Sequence, residues 1–116
     1  MDNSWYRLGK LLVDYSMAVK PGEKVMIAFG EVESYPLVHS VYRACLEAGA
    51  YPQVQFLSEE LNRLALLHGS NEQIGWVPEV EAFGMEWADV YFVADTMSGR
   101  SAIRLLVTKM SSLVGL

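Results

Sequence analysis

Three apolar runs, Val25 to Phe29, Tyr51 to Leu57 and Asp89 to Ala94, stand too far apart for neighbours to close a hairpin. Antiparallel strands can be joined by a tight turn, whereas parallel strands need a crossover of about a dozen residues or more, usually a helix. Both intervals are of crossover length and both carry helical patterns. The spacing therefore predicts an α/β layer structure. Its centre is a small parallel sheet of about three strands, residues 24–29, 51–57 and 89–94, flanked by helices.

The stretch VKPGEKVMI, Val19 to Ile27, shows how the first strand is entered. Before it, Trp5, Leu8, Leu12, Tyr15 and Val19 recur at steps of three and four and predict one inward helical face over 4–19. Lys20, Pro21 and Gly22 end that helix, because proline cannot continue the ladder and disfavours helix in the residue before it. After Gly30, Ser34 and Pro36 open a second helix running to about Ala48, with Leu37 or Val38, Val41, Cys45 and Ala48 inward and Gly49 just past its end. Pro52 is tolerable at the start of the second strand.

Ser58 caps a third helix whose face is Leu61, Leu64, Ala65 and Leu67, with Glu59 and Glu60 at its positive end. Asn71 to Trp76 and Glu79 to Trp87 read as short helices broken at Pro78. Beyond the third strand, Ile103, Leu106, Val107, Met110, Leu113 and Val114 form a helical stripe, while Ile103, Leu105 and Val107 also alternate like a strand. Length favours the helix. Residues 1–95 and a divergent terminal helix over 96–116 are thus expected to form one domain.

Charge narrows the partners. The chain of 116 residues has a net charge of −5, and binding nucleic acid needs a basic face. All 14 acids lie in residues 1–95 beside 6 bases, whereas residues 96–116 hold 3 bases and no acid. No apolar run approaches the length of about 20 residues that spans a bilayer, so neither membrane nor nucleic acid is an expected partner. One cysteine, and no signal-peptide core behind Met1, make a reducing, cytoplasmic address the default.

Chemistry-bearing groups are sparse. His39 and His68 fall on different helices, and neither a helical two-histidine motif nor a paired-cysteine motif is present. The turn AFGEVES has one glycine where dinucleotide binders use three, and two acids where phosphate would be repelled. Cys45 falls on an apolar helix face, as an inert core thiol does. Open parallel sheets bind ligands at the carboxyl ends of their strands. Here those ends offer Glu31 and Glu33, then Ser58, then Asp95 with Thr96. Glu31, Glu33 and Asp95 are the candidate cleft residues, an acidic rim suited to a cationic group such as a free amine. As plain helix-capping and solvating acids they need no ligand.

The run LLVDYSMAVKPGEKVMI, followed by ESYPLVHSVYRACLEAGAYPQVQF and later GMEWADVYF, resembles the thermophilic metalloprotease family of aminopeptidases over roughly residues 8–95. The combination carries the resemblance, since K-P-G-E alone recurs widely. In that family this turn launches the first strand of an amino-terminal α/β domain, and the carboxylate, imidazole and tyrosine metal ligands lie in a later domain. The resemblance implies a divalent metal in that later domain and no cofactor in this chain, so no residue here inherits a ligand or catalytic role. Three expectations follow. The chain is a cleft-shaping domain of an aminopeptidase-like enzyme, inactive alone and working with a separate catalytic domain. Alternatively it is a stand-alone binding or assembly module, or a small hydrolase using Glu31, Glu33 and His39. Sheet edges need cover, so a homo-oligomer is a further expectation, with Ile103, Leu106, Met110 and Leu113 serving either as that cover or as the interface.

Overall fold

The computed structural model describes residues 3–96 and 103–109. Strands β1 (Lys24–Phe29), β2 (Tyr51–Phe56), β3 (Val90–Thr96) and β4 (Ile103–Lys109) form one sheet in the order β2-β1-β3-β4. β1 runs parallel to both β2 and β3, with Lys24 opposite Tyr51, Phe29 opposite Phe56, and Val25 opposite Val90. The parallel α/β sheet expected from the spacing is the one that forms.

The turn before β1 is fixed from several sides. Gly22 has φ +86°, a left-handed conformation that glycine adopts without a Cβ penalty, and its N–H donates to the Gly49 carbonyl at 2.9 Å. The Lys20 N–H donates to the Glu23 carboxylate at 2.7 Å. Across the sheet, the Lys24 N–H donates to Asp89 Oδ2 at 2.9 Å while the Asp89 N–H donates back to the Lys24 carbonyl at 2.8 Å. These bonds set where β1 and β3 start together.

Helix α1 (Asn3–Leu11) runs into a π-helical turn, Leu12–Ser16, in which the Met17 N–H reaches back to the Leu12 carbonyl at 2.7 Å. A π turn holds more residues than an α turn and shifts the inward face. Val13 and Met17 therefore join Leu12 in the core in place of Tyr15, while Trp5 and Val19 of the expected stripe pack against its border. Tyr15 is left 76% exposed. Ala18 then takes a left-handed φ of +46° before the chain turns.

A 3₁₀ turn, Val32–Ser34, leads into α2 (Tyr35–Glu47), which buries Leu37, Val38, Val41, Ala44 and Cys45. These join Val25 and Ile27 of β1 and Val90, Phe92 and Ala94 of β3 in one core on one face of the sheet. α1 crosses α2 closely, since a Cβ at Gly9 would lie 2.5 Å from Ser40 Oγ and 2.7 Å from the Ser40 carbonyl carbon. On the opposite face α5 (Glu79–Trp87) brings Gly84 under Met26 of β1.

Two expectations need correction. Residues 103–109 do not belong to a terminal helix but form β4, antiparallel to β3 with Ile103 opposite Thr96 and Lys109 opposite Val90. Pairing with the open edge of β3 satisfies backbone groups that a helix would leave on that edge, so the alternation of Ile103, Leu105 and Val107 outweighs the helical stripe. The positions Met110, Leu113 and Val114 lie outside the described residues. Second, α3 (Glu59–His68) buries none of its residues, and the short α4 (Asn71–Ile74) buries none either. The apolar face read for α3 exists, but no described element covers it.

Candidate functional site at the carboxyl end of the sheet

The first turn of each crossover delivers polar residues to the carboxyl ends of the parallel strands, where their N-terminal peptide groups attract negative charge. At this end a cavity of about 130 Å³ is lined by Phe29, Gly30 and Glu31 after β1, by Leu57 and Glu59 after β2, and by Val93 and Ala94 on β3. The Leu57 N–H donates to the Phe29 carbonyl at 2.7 Å, holding the first two exits together. The Phe29 and Phe56 rings meet edge to face with centroids 5.1 Å apart.

Gly30 is required by this packing, because a Cβ there would lie 2.4 Å from the Leu57 carbonyl oxygen. At the β2 exit the Ser58 hydroxyl caps α3 by accepting the Leu61 N–H at 3.4 Å. That cap turns the chain so that Glu59, the first residue of α3, lines the cavity.

Of the three candidates, Glu31 lines the cavity. Glu33 sits in the 3₁₀ turn, is exposed, and is not among the lining residues. Asp95 follows Ala94 on β3 and stands opposite Arg104 of β4 in the strand register. Glu59 was missed as a lining residue because its place in the first helical turn already had an explanation in the helix dipole. The signal that finds it is the cap itself: a capped helix starting straight after a strand puts its first side chain beside the strand exit.

His39 lies on α2, exposed, edge to face with Tyr35 at 6.2 Å. It lines a different and larger cavity, an apolar groove of about 760 Å³ bounded by Tyr35, Tyr42 and Leu46 of α2 and Val54 of β2. The triad of Glu31, Glu33 and His39 considered for a small hydrolase is not assembled. Among the described residues no group of three or more His, Cys, Asp or Glu stands close enough to hold a metal ion, so these residues do not fit one. Cys45 is buried in the core, and burial pushes its thiol up to about 12. It is no nucleophile at neutral pH. Among the described residues no helix is long and apolar enough to cross a membrane.

Residues 1–99 match the family model described as thermophilic metalloprotease (M29). The chain belongs to this family. Among curated proteins none matches. Among solved structures, wild-type AmpT from Thermus thermophilus is similar in fold, with a TM-score of 0.61 and 20% identity. That similarity covers 72% of this chain and 21% of AmpT, so the chain spans about a fifth of the length of that protein. The M29 match reaches through β3, taking in all three parallel strands and the cavity between their ends.

Proposed function

We propose that this chain acts as an amino-terminal, cleft-shaping domain of an aminopeptidase-like metallopeptidase, with the metal and its ligands supplied by a separate catalytic domain. The observation that carries the reading is the surface of α3 to α5. Leu61, Leu64, Leu66, Leu67, Ile74, Trp76, Val80 and Phe83 are all exposed there, and clustered exposed apolar side chains mark an interaction surface. Glu60, Glu72, Glu79, Glu81 and Glu86 are exposed on these helices against Arg63, so the surface repels its own image and suits an apolar, basic partner surface. Glu31 and Glu59 at the sheet's carboxyl end then offer carboxylates to the free amine of a peptide lying in the shared cleft. A cytoplasmic address accords with the single buried thiol of Cys45.

The experiment is an aminopeptidase assay on the metal-loaded chain, alone and joined to an M29 catalytic domain, beside a Glu31→Ala, Glu33→Ala double variant. Turnover is expected only with the catalytic domain. Metal-dependent turnover by the chain alone, lost in the double variant, would overturn the reading in favour of a small hydrolase. A second reading, a stand-alone binding or assembly module, is favoured by the apolar groove beside α2. It wins if the chain neither acts alone nor alters the activity of the catalytic domain.

A further inference from the structure

The edge strand β2, YPQVQF, carries no charge. Natural sheets usually guard an edge with lysine, proline or a bulge. The Tyr51 and Leu57 amides donate inward to the Glu23 and Phe29 carbonyls, so by strand alternation Pro52, Val54 and Phe56 turn their backbone groups outward. Pro52 therefore removes one outward donor and leaves Val54 and Phe56 open. No described strand covers that edge. A groove lies on each side of it: the α2 groove of about 760 Å³ on one sheet face, and one of about 450 Å³ against Val80, Phe83 and Trp87 on the other. Val54 lines both.

We propose that β2 pairs antiparallel with β2 of a second copy of this chain, about a two-fold axis perpendicular to the sheet, giving one continuous sheet through the dimer. This inference is independent of the metallopeptidase reading. With Val54 opposite Val54, each copy's Val54 exchanges both of its backbone bonds with the other. Each Phe56 N–H reaches the other's Pro52 carbonyl, which needs no donor from proline. The same register sets Gln55 opposite Gln53 of the second copy. Neither glutamine carries a charge, so the pair sets no repulsion across the seam.

The helices fit the same operation. α2 lies over β1 and β2, so its image lies two strand spacings away, about 10 Å, which is the distance at which helices pack. Tyr35, His39, Tyr42 and Leu46 then meet their own images and fill the groove. A two-fold contact must be self-complementary, and a neutral strand with apolar residues on one face and glutamines on the other satisfies that. The acidic α3 to α5 surface does not.

The test combines light scattering with amide hydrogen exchange on the intact chain. The wild type should scatter as twice its 13.0 kDa mass, with the Val54 and Phe56 amides protected in the dimer and unprotected on dilution. Val54→Pro removes the exchanged donor without touching a bond to β1, and Leu46→Glu charges the α2 groove at an exposed site. Both should be monomers with unchanged circular dichroism. If Val54→Pro unfolds, Leu46→Glu and the exchange data still decide. A wild type that stays monomeric at its highest soluble concentration overturns the proposal. So does a dimer that survives Leu46→Glu, or one whose Val54 and Phe56 amides exchange freely.

Discussion

Gly9→Ala sets two known effects against each other. Gly9 lies inside α1, where alanine is favoured over glycine by about 1 kcal/mol of helix propensity. Propensity by itself therefore predicts a more stable protein. The structure predicts the reverse. The new Cβ would stand 2.5 Å from Ser40 Oγ, 2.7 Å from the Ser40 carbonyl carbon and 2.8 Å from Ser40 Cβ. Carbon atoms prefer separations of about 3.5–4.0 Å, so the backbone contact is short by about 1 Å. A rotamer change at Ser40 relieves the hydroxyl contact but not the contact with the carbonyl carbon, and α1 must move away from α2.

Overpacking of this kind costs about 1–3 kcal/mol. After the propensity gain of about 1 kcal/mol, a net loss of up to about 2 kcal/mol remains, at about 4–8 °C per kcal/mol in Tm for a domain near this size. Urea unfolding followed by circular dichroism reads it as a lower midpoint with an unchanged slope. Two controls separate the causes. Ser40→Ala beside Gly9→Ala should fail to restore stability, because the backbone contact remains. Gly84→Ala should be neutral or stabilising, because its Cβ would meet only the mobile end of Met26, at 2.9 Å from Cε. A Gly9→Ala protein about 1 kcal/mol more stable than the wild type, the propensity gain unopposed, would refute the close crossing of α1 and α2.

Two further predictions concern the core and its border. Because burial raises the Cys45 thiol to about 12 from an ordinary 9.0, the folded protein keeps the proton where the unfolded chain loses it. That contribution is whole below pH 9 and is lost as pH rises toward 12, at about 1.4 kcal/mol per pH unit. Urea midpoints should therefore fall more steeply above pH 9 for the wild type than for Cys45→Ala, and equal slopes would count against the buried thiol. Ala18, held at φ +46°, pays a left-handed penalty of about 1–2 kcal/mol that glycine avoids. After glycine's larger unfolded-state entropy is subtracted, Ala18→Gly should stabilise by about 0.5–1 kcal/mol in the same assay, and a loss would refute that backbone geometry.

How much of this was legible from the residues depends on what each signal measures. Strand spacing measures topology directly, which is why the parallel pairing of β1 with β2 and β3 was readable. Helical periodicity assumes about 3.6 residues per turn, and the π turn at Leu12–Ser16 breaks that assumption halfway along the first helix. The face therefore moved from Tyr15 to Val13 and Met17. For 103–109 both periods were present. The deciding fact was the separation of Thr96 from Ile103, short enough for antiparallel neighbours and unweighed against the length of the apolar stripe. At the candidate site the rule about strand ends led to Glu31, which lines the cavity. It did not lead to Glu59, because the same carboxylate serves the helix dipole and the cavity at once.

The α3 stripe shows a limit of another kind. Leu61, Leu64 and Leu67 make a helix amphipathic whether or not anything covers them, so periodicity reports a demand for burial and not its fulfilment. Among the described residues the fold meets that demand on the α1 and α2 face of the sheet and leaves it unmet along α3 to α5 and at the β2 edge. Those two open surfaces differ in charge, and charge decides what can cover each. The acidic α3 to α5 face disfavours contact with its own copy and calls for a basic, apolar partner. The neutral β2 edge has no such barrier. The two proposals, self-pairing and docking to a catalytic domain, thus call on separate surfaces. A charge-reversing pair such as Glu79→Lys, Glu81→Lys should weaken the second, read as lost activity in a mixture with the catalytic domain, while leaving the dimer mass unchanged. Loss of both together would show that one surface serves both contacts and would break the division drawn here.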